Sequence, residues 1–206
     1  MFITLEGIDR SGKTTQAAML ADALGPDTLR LREPGGTPLG ERVRALLMDP
    51  DLEVGSGAEL LLFGAARAAL AGQVIGPAKE AGRDIVCDRF IDSTVAYQGV
   101  ARGLGVEIVE QLNSVVVGSC VPDVTLLHRI DAEEAERRGQ QRLVEGLDDG
   151  ADRFEGEGLD FQRMVAAAYD DLAARHPERI VVIDASGNPA DVHERVMGEV
   201  GARRGR

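Results

Sequence analysis

Gly7-Ile8-Asp9-Arg10-Ser11-Gly12-Lys13-Thr14 carries the pattern G-x-x-x-x-G-K-[ST] directly after an apolar run. Glycines at both ends let the backbone curl so that successive N–H groups point inward, a cradle for phosphate. Lys13 can reach the β- and γ-phosphates of a nucleotide, and Thr14 offers a hydroxyl ligand for Mg²⁺. Gly7, Ile8, Asp9, Arg10, Ser11, Gly12, Lys13, Thr14 and Thr15 are therefore candidates for binding a nucleoside triphosphate. Asp88 ends a second apolar run, Asp84–Asp88, as does the acid that helps hold Mg²⁺ in other phosphate-loop enzymes. Phe63 and Arg67 stand four residues apart, on one face of a helix. A phenyl ring can stack on a base, and a guanidinium can bond its carbonyl. Arg67 is also an isolated charge among Ala65, Ala66, Ala68, Ala69 and Leu70, and a charge so placed wants an anionic or hydrogen-bonding partner.

Such groups need a frame, and the chain alternates strand and helix patterns. Strands are expected at Phe2–Glu6, Thr28–Arg32, Asp84–Asp88, Val124–Ile130 and Arg179–Asp184. Helices are expected over Lys13–Leu24, from Thr37-Pro38, from Ser56 toward Ala81, over Gly105–Gly118, after Asp131, over Leu159–Arg175 and from Asn188-Pro189. Ser56 with Glu59, and Asp131 with Glu134, have capping-box spacing. Phe161, Met164, Val165, Ala168 and Leu172 form one apolar stripe. The expected fold is α/β: a P-loop three-layer α/β/α domain spanning 1–206, with a five-stranded parallel sheet flanked by helices. Residues 139–158, polar, acidic and Gly-rich, read as a mobile insertion.

A formal charge of −12 over 206 residues argues against a general nucleic-acid binder but leaves room for a local pocket of arginines. Only Lys13 and Lys79 are lysine among 23 basic residues, so a retained Lys is informative. The apolar residues fall in runs that read as too short to cross a bilayer, and the N-terminus lacks a secretory pattern. Cys87 and Cys120 sit in apolar segments and read as buried, reduced thiols, which makes a cytoplasmic location the default.

The phosphate loop alone leaves GTPase, ATPase and kinase open. The absence of an Asn-Lys-x-Asp signature counts against a GTPase, and the single loop in a short chain against a motor. Beyond the loop, EGIDRSGKTT (Glu6–Thr15), REPGGTPL (Arg32–Leu39), LLFGAARA (Leu61–Ala68), DRFIDSTVAYQG (Asp88–Gly99), Pro122–Asp123 and DRFE (Asp152–Glu155) resemble the bacterial thymidylate kinases in order and spacing. The resemblance implies an ATP- and Mg²⁺-dependent dTMP kinase leading toward dTTP, acting as a homodimer with a lid. It implies that Asp9 bonds the 3′-hydroxyl of the acceptor sugar, Phe63 stacks on thymine and Arg67 bonds its carbonyl. Arg89 would hold the acceptor phosphate, and Tyr97 would disfavour a 2′-hydroxyl. Ser93 and Thr94 would lie beside the base, with Gln98 in the same segment; Arg32 and Glu33 would border the acceptor site. Arg142 and Arg153 would belong to the lid, and Arg10 would be the main transition-state contact. One departure stands out: His128-Arg129 replaces the usual apolar residue and Asp before Ile130-Asp131. It is either a substitution repaired by an ion pair, or a change that alters nucleotide affinity or damages the enzyme. A kinase for another nucleoside monophosphate or a deoxynucleoside, and a nucleotide-binding regulator without activity, are the alternatives.

Overall fold

A computed structural model describes residues 1–145, 154 and 157–205, without the side chain of Arg142. Five strands, β1 (Phe2–Glu6), β2 (Leu29–Arg32), β3 (Ile85–Asp88), β4 (Val124–Arg129) and β5 (Ile180–Asp184), form one parallel sheet in the order β2-β3-β1-β4-β5. Every β1 residue is buried, as a central strand covered on both faces requires. One face packs against α1 (Lys13–Leu24) and, later in the chain, α9 (Pro189–Arg204), with Ile3, Leu5, Leu20, Leu126 and Val196 in the core between them. Because β1 pairs with β3 on one side and β4 on the other, the loop after β1 opens where the strand order reverses.

The helical expectations hold at most ends and fail at three instructive places. Thr37 caps α2 (Pro38–Met48) by accepting from Gly40 N, and Asn188 caps α9 through Ala190 N and Asp191 N. Neither capping box forms. Ser56 opens α3 (Ser56–Leu70) with no side-chain cap, and Glu59 turns into the interior instead. Asp131 makes no cap to α7 (Ala132–Val144), whose Glu134 pairs with Arg137 and Arg138. A π-helical turn, Ala71–Ile75, joins α3 to α4 (Gly76–Glu80). The joined run Ser56–Glu80 has 25 residues and is long and apolar enough to cross a membrane by length and composition. Buried Glu59 and Arg67 interrupt the apolar pattern in the sequence, and half of the most apolar stretch of the run is core.

The third difference is an unpredicted segment after β3, α5 (Ile91–Thr94) running into a second π-helical turn, Val95–Ala101. It packs against α6 (Val106–Val117) and α8 (Leu159–Arg175). On α8, Phe161, Val165, Ala168 and Leu172 face inward as expected, but Met164 is half exposed and Tyr169 takes an inward place. The segment expected as an insertion begins inside α7, whose last residues it shares; 146–153, 155 and 156 lie outside the described residues. Cys87 and Cys120 are both free and buried in the core cluster around Phe2 and Phe90.

Candidate functional site

Gly12, at φ 89°, turns the chain into α1, and the loop curls with Lys13 folded back inside it. Lys13 Nζ donates to Ile8 O at 2.5 Å and to Ser11 Oγ at 3.2 Å. Burial, and then the nearby Arg89, lower its pKa to about 8. Gly7 packs so closely on β4 that an added Cβ would lie 2.5 Å from the His128 carbonyl oxygen. Thr14 Oγ1 donates to Asp88 Oδ2 at 2.5 Å, so the two expected metal ligands meet at the loop mouth. Two adjacent oxygen donors of this kind suit a hard divalent cation.

Arg10 also has positive φ, 61°, and lies across α7 at Gly139, where a Cβ would fall 2.3 Å from its Nε. One cleft is lined by Arg10, Gly12, Lys13, Thr14 and Thr15 together with Arg138, Gln141, Gly187 and Pro189. It follows the phosphate loop toward the start of α9. Arg142 belongs to α7, but its side chain lies outside the described residues, as does the whole of Arg153.

A second cleft lies on the other side of the loop. Asp9, Arg89, Ser93, Thr94, Tyr97, Gln98 and Phe63 all line it, which brings seven expected acceptor residues together. Arg89 occupies a left-handed turn after β3, φ 68°, that aims it back toward the loop. It pairs with Asp9 and donates to Gly7 O at 3.1 Å, Ser93 Oγ at 3.2 Å and Tyr97 Oη at 3.2 Å. Tyr97 Oη and Gln162 Nε2 donate to Asp9 Oδ2 at 3.0 and 2.8 Å. Burial pushes the Asp9 carboxyl upward, but Arg89, Lys13 and these hydrogen bonds outweigh it and hold the group below the usual carboxylate range.

Glu6, the first residue of EGIDRSGKTT but given no role by it, fixes the turn that carries Arg89. Its buried carboxylate accepts from Phe90 N at 2.7 Å, Ser93 N at 3.2 Å, Ser93 Oγ at 2.5 Å and Tyr169 Oη at 2.8 Å. Gln162, Tyr169 and Arg44 join the site without a local signal, whereas Glu33 and Phe154 fall in the segments REPGGTPL and DRFE. Phe154 stands edge-on to Phe63, 5.8 Å between ring centroids, and closes the apolar wall.

Two residues expected at the acceptor stand elsewhere. Arg32 points outward and pairs with Glu41 at 2.8 Å, because its position on edge strand β2 faces the loop leading to α2; its neighbour Glu33 lines the cleft instead. Arg67 is 1% exposed and lies behind the cleft wall. Its guanidinium donates to Glu33 Oε2, Thr94 Oγ1 (2.7 Å), Asn113 Oδ1 (2.8 Å) and Phe90 O (2.9 Å), which occupies all five N–H groups. The partner that an isolated charge demands is thus Glu33 at 2.5 Å. Burial raises the Glu33 carboxyl to about 7 against the pull of Arg67, and Glu33 Oε1 has no partner among the described residues.

The unusual pair at the end of β4 divides by face. Arg129 points outward to Asp170 at 2.6 Å, the ion-pair repair. His128 points inward, 1% exposed, with Nδ1 3.2 Å from Leu126 O. Burial lowers its pKa to about 4, so it adds no charge beneath the loop at neutral pH.

With this geometry in hand, the similarities to known proteins are specific. A family model described as "Thymidylate kinase" matches residues 5–196. The thymidylate kinase of Desulfosudis oleivorans is 46% identical over 202 residues, covering 96% of this chain and 94% of that protein. That of Syntrophotalea carbinolica is 44% identical, covering 95% and 92%. The crystal structure of thymidylate kinase from Ehrlichia chaffeensis superposes with a TM-score of 0.78 at 34% identity, covering 98% of both chains.

Proposed function

The chain belongs to the thymidylate kinase family, and from that premise we propose that it transfers the terminal phosphoryl group of ATP to dTMP, giving dTDP, with one nucleotide in each cleft. The observation that carries this arrangement is Arg89, which stands between the phosphate loop and an apolar cleft walled by Phe63, Tyr97 and Phe154. Two nucleotides repel through their phosphates, so they approach end to end only where fixed positive charge lies between them. Lys13, Arg10 and Arg89 supply it in this reading, and the lid arginines Arg142 and Arg153 add to it. Transfer needs no covalent enzyme intermediate; alignment and charge stabilisation suffice.

In the acceptor cleft, Arg89 holds the dTMP phosphate and Asp9 bonds the 3′-hydroxyl. Tyr97, fixed by Asp9, closes the space where a ribose 2′-hydroxyl would sit. Thymine stacks on Phe63 beside Ser93 and Thr94. Gln98 donates its Nε2 to buried Glu59, which leaves Oε1 to accept the base N3–H. Arg67 acts by holding Thr94 and Glu33 in the wall. Thr14 and Asp88 would hold Mg²⁺, which when bound offsets phosphate charge.

We also propose a homodimer. Leu61, 63% exposed, with Ala58, Ala65 and Ala68 on α3, and Ile108 and Val115 (83%) on the adjacent α6, make an apolar face suited to a second copy. A cytoplasmic location fits the reduced cysteines. The test is an acceptor panel with ATP and Mg²⁺: dTMP, dUMP, UMP, CMP and thymidine, read by ADP release. dTMP should give the highest kcat/KM; ATP binding without ADP release on adding dTMP would reject the reading.

A further inference from the structure

Glu59 has the sequence position of a helix-capping residue but faces the interior of the protein. Its Oε1 accepts from Gln98 Nε2 at 2.8 Å and from Arg102 Nε at 3.3 Å. A carboxylate paired with a guanidinium only accepts hydrogen bonds, so the Gln98 amide must turn its NH₂ toward Glu59 and its carbonyl oxygen the other way. Arg102 follows the π-helical turn that carries Gln98 and is itself held on several sides. It pairs with Glu157 at 2.5 Å, and its guanidinium carbon lies 5.9 Å from the ring centroid of Phe154 and 5.0 Å from that of Phe161.

We propose that Glu59, clamped by Arg102, is a specificity-determining positioning residue: it locks the Gln98 amide so that the acceptor cleft presents an oxygen, and selects a base with a hydrogen on N3 over one without. Neither residue lines the cleft; both act through Gln98. The inference rests on the reading that this cleft holds the acceptor base. Thymine and uracil carry the N3 hydrogen, whereas cytosine presents a bare N3 acceptor. Two facing acceptors repel, whereas a Gln98 free to flip can offer its NH₂ to cytosine.

Glu59→Gln keeps the size and removes the lock, since an amide can meet Gln98 either way round. Calorimetric titration with dUMP and dCMP compares two ligands that differ only at N3 and C4. The ratio of Kd for dCMP to Kd for dUMP should fall about tenfold, the scale of one hydrogen bond made or lost. The KM for dTMP should rise by a similar factor, while kcat at saturating dTMP and the KM for ATP change less than about threefold. Arg102→Gln should move the same ratio by about threefold, and Arg102→Lys should restore at least half of that shift. The Arg102 pair carries the test if Glu59→Gln does not fold. A ratio unchanged within about twofold, or a parallel loss for both ligands as lost packing alone would give, overturns the proposal. A parent enzyme inert toward dTMP would instead overturn the functional reading itself.

Discussion

In the acceptor cleft Asp9 is held by Arg89, Tyr97 and Gln162, and Gln98 is held by Glu59. In the donor cleft Lys13 bonds the carbonyl and hydroxyl of its own loop, where a nucleotide phosphate would compete for it. The acceptor side is drawn from α3, the turn after β3 and a π-helical turn, all packed into the core. The donor side is drawn from a loop mouth, the end of α7 and the start of α9. The first arrangement can discriminate between bases, because its polar atoms have fixed directions before any ligand arrives. The second suits a ligand recognised chiefly by its phosphates, which many N–H groups can meet at once.

Arg89→Met should separate the two sides most sharply. It removes the cation between the clefts and should lower kcat/KM for dTMP by about 10²–10³-fold, the scale of losing one charged contact to the reacting group. Steady-state kinetics should find the KM for ATP changed less than about threefold; an equal loss for both nucleotides would erase the contrast. Gly139→Ala acts on the donor side alone. Its new Cβ would occupy the place of the Arg10 side chain, so kcat should fall about tenfold while the KM for dTMP stays unchanged. Thermal denaturation should show the same variant as stable as the parent or more so, because Ala is favoured over Gly inside a helix by about 1 kcal/mol. The smallest effect concerns pH. Free Lys13 loses its proton near pH 8, so kcat/KM for ATP should decline as pH rises above about 8. Phosphate bound beside Lys13 favours the ammonium, so kcat itself should stay level to higher pH; a matching decline in kcat would show that the loop does not tighten on its ligand.

Chemistry close together in sequence was legible. The phosphate loop, the five strands and their parallel arrangement follow from glycine spacing, apolar runs and the alternation of strand and helix, and each expected strand agrees with the observed one to within a residue at either end; the strand order does not follow from them. Arg67 announced its need for a partner through its apolar neighbours, but Glu33, 34 residues away, gave no matching sign. Glu59 was misread as a cap because Ser-x-x-Glu spacing is also compatible with a carboxylate turned inward, and only the packing of Gln98 and Arg102 decides between them. The π-helical turn had no pattern of its own: its hydrogen bonds, such as Arg102 N to Tyr97 O at 2.8 Å, follow neither the α-helical nor the strand period. Gln162 and Tyr169 entered the site through tertiary packing of α8, which brings them to Asp9 and Glu6 and which one sequence does not display.

The enclosure of Cys87 has a practical side. The residue adjoins Asp88, yet its thiol is sealed among Phe2, Phe90 and Ile85, and burial pushes its pKa well above the ordinary thiol value. A thiol kept protonated and out of solvent is a poor nucleophile toward alkylating agents and peroxide alike. Cys120 is likewise buried. The folded enzyme therefore needs no reducing agent to keep working, and iodoacetamide becomes a reporter of unfolding rather than a poison of catalysis.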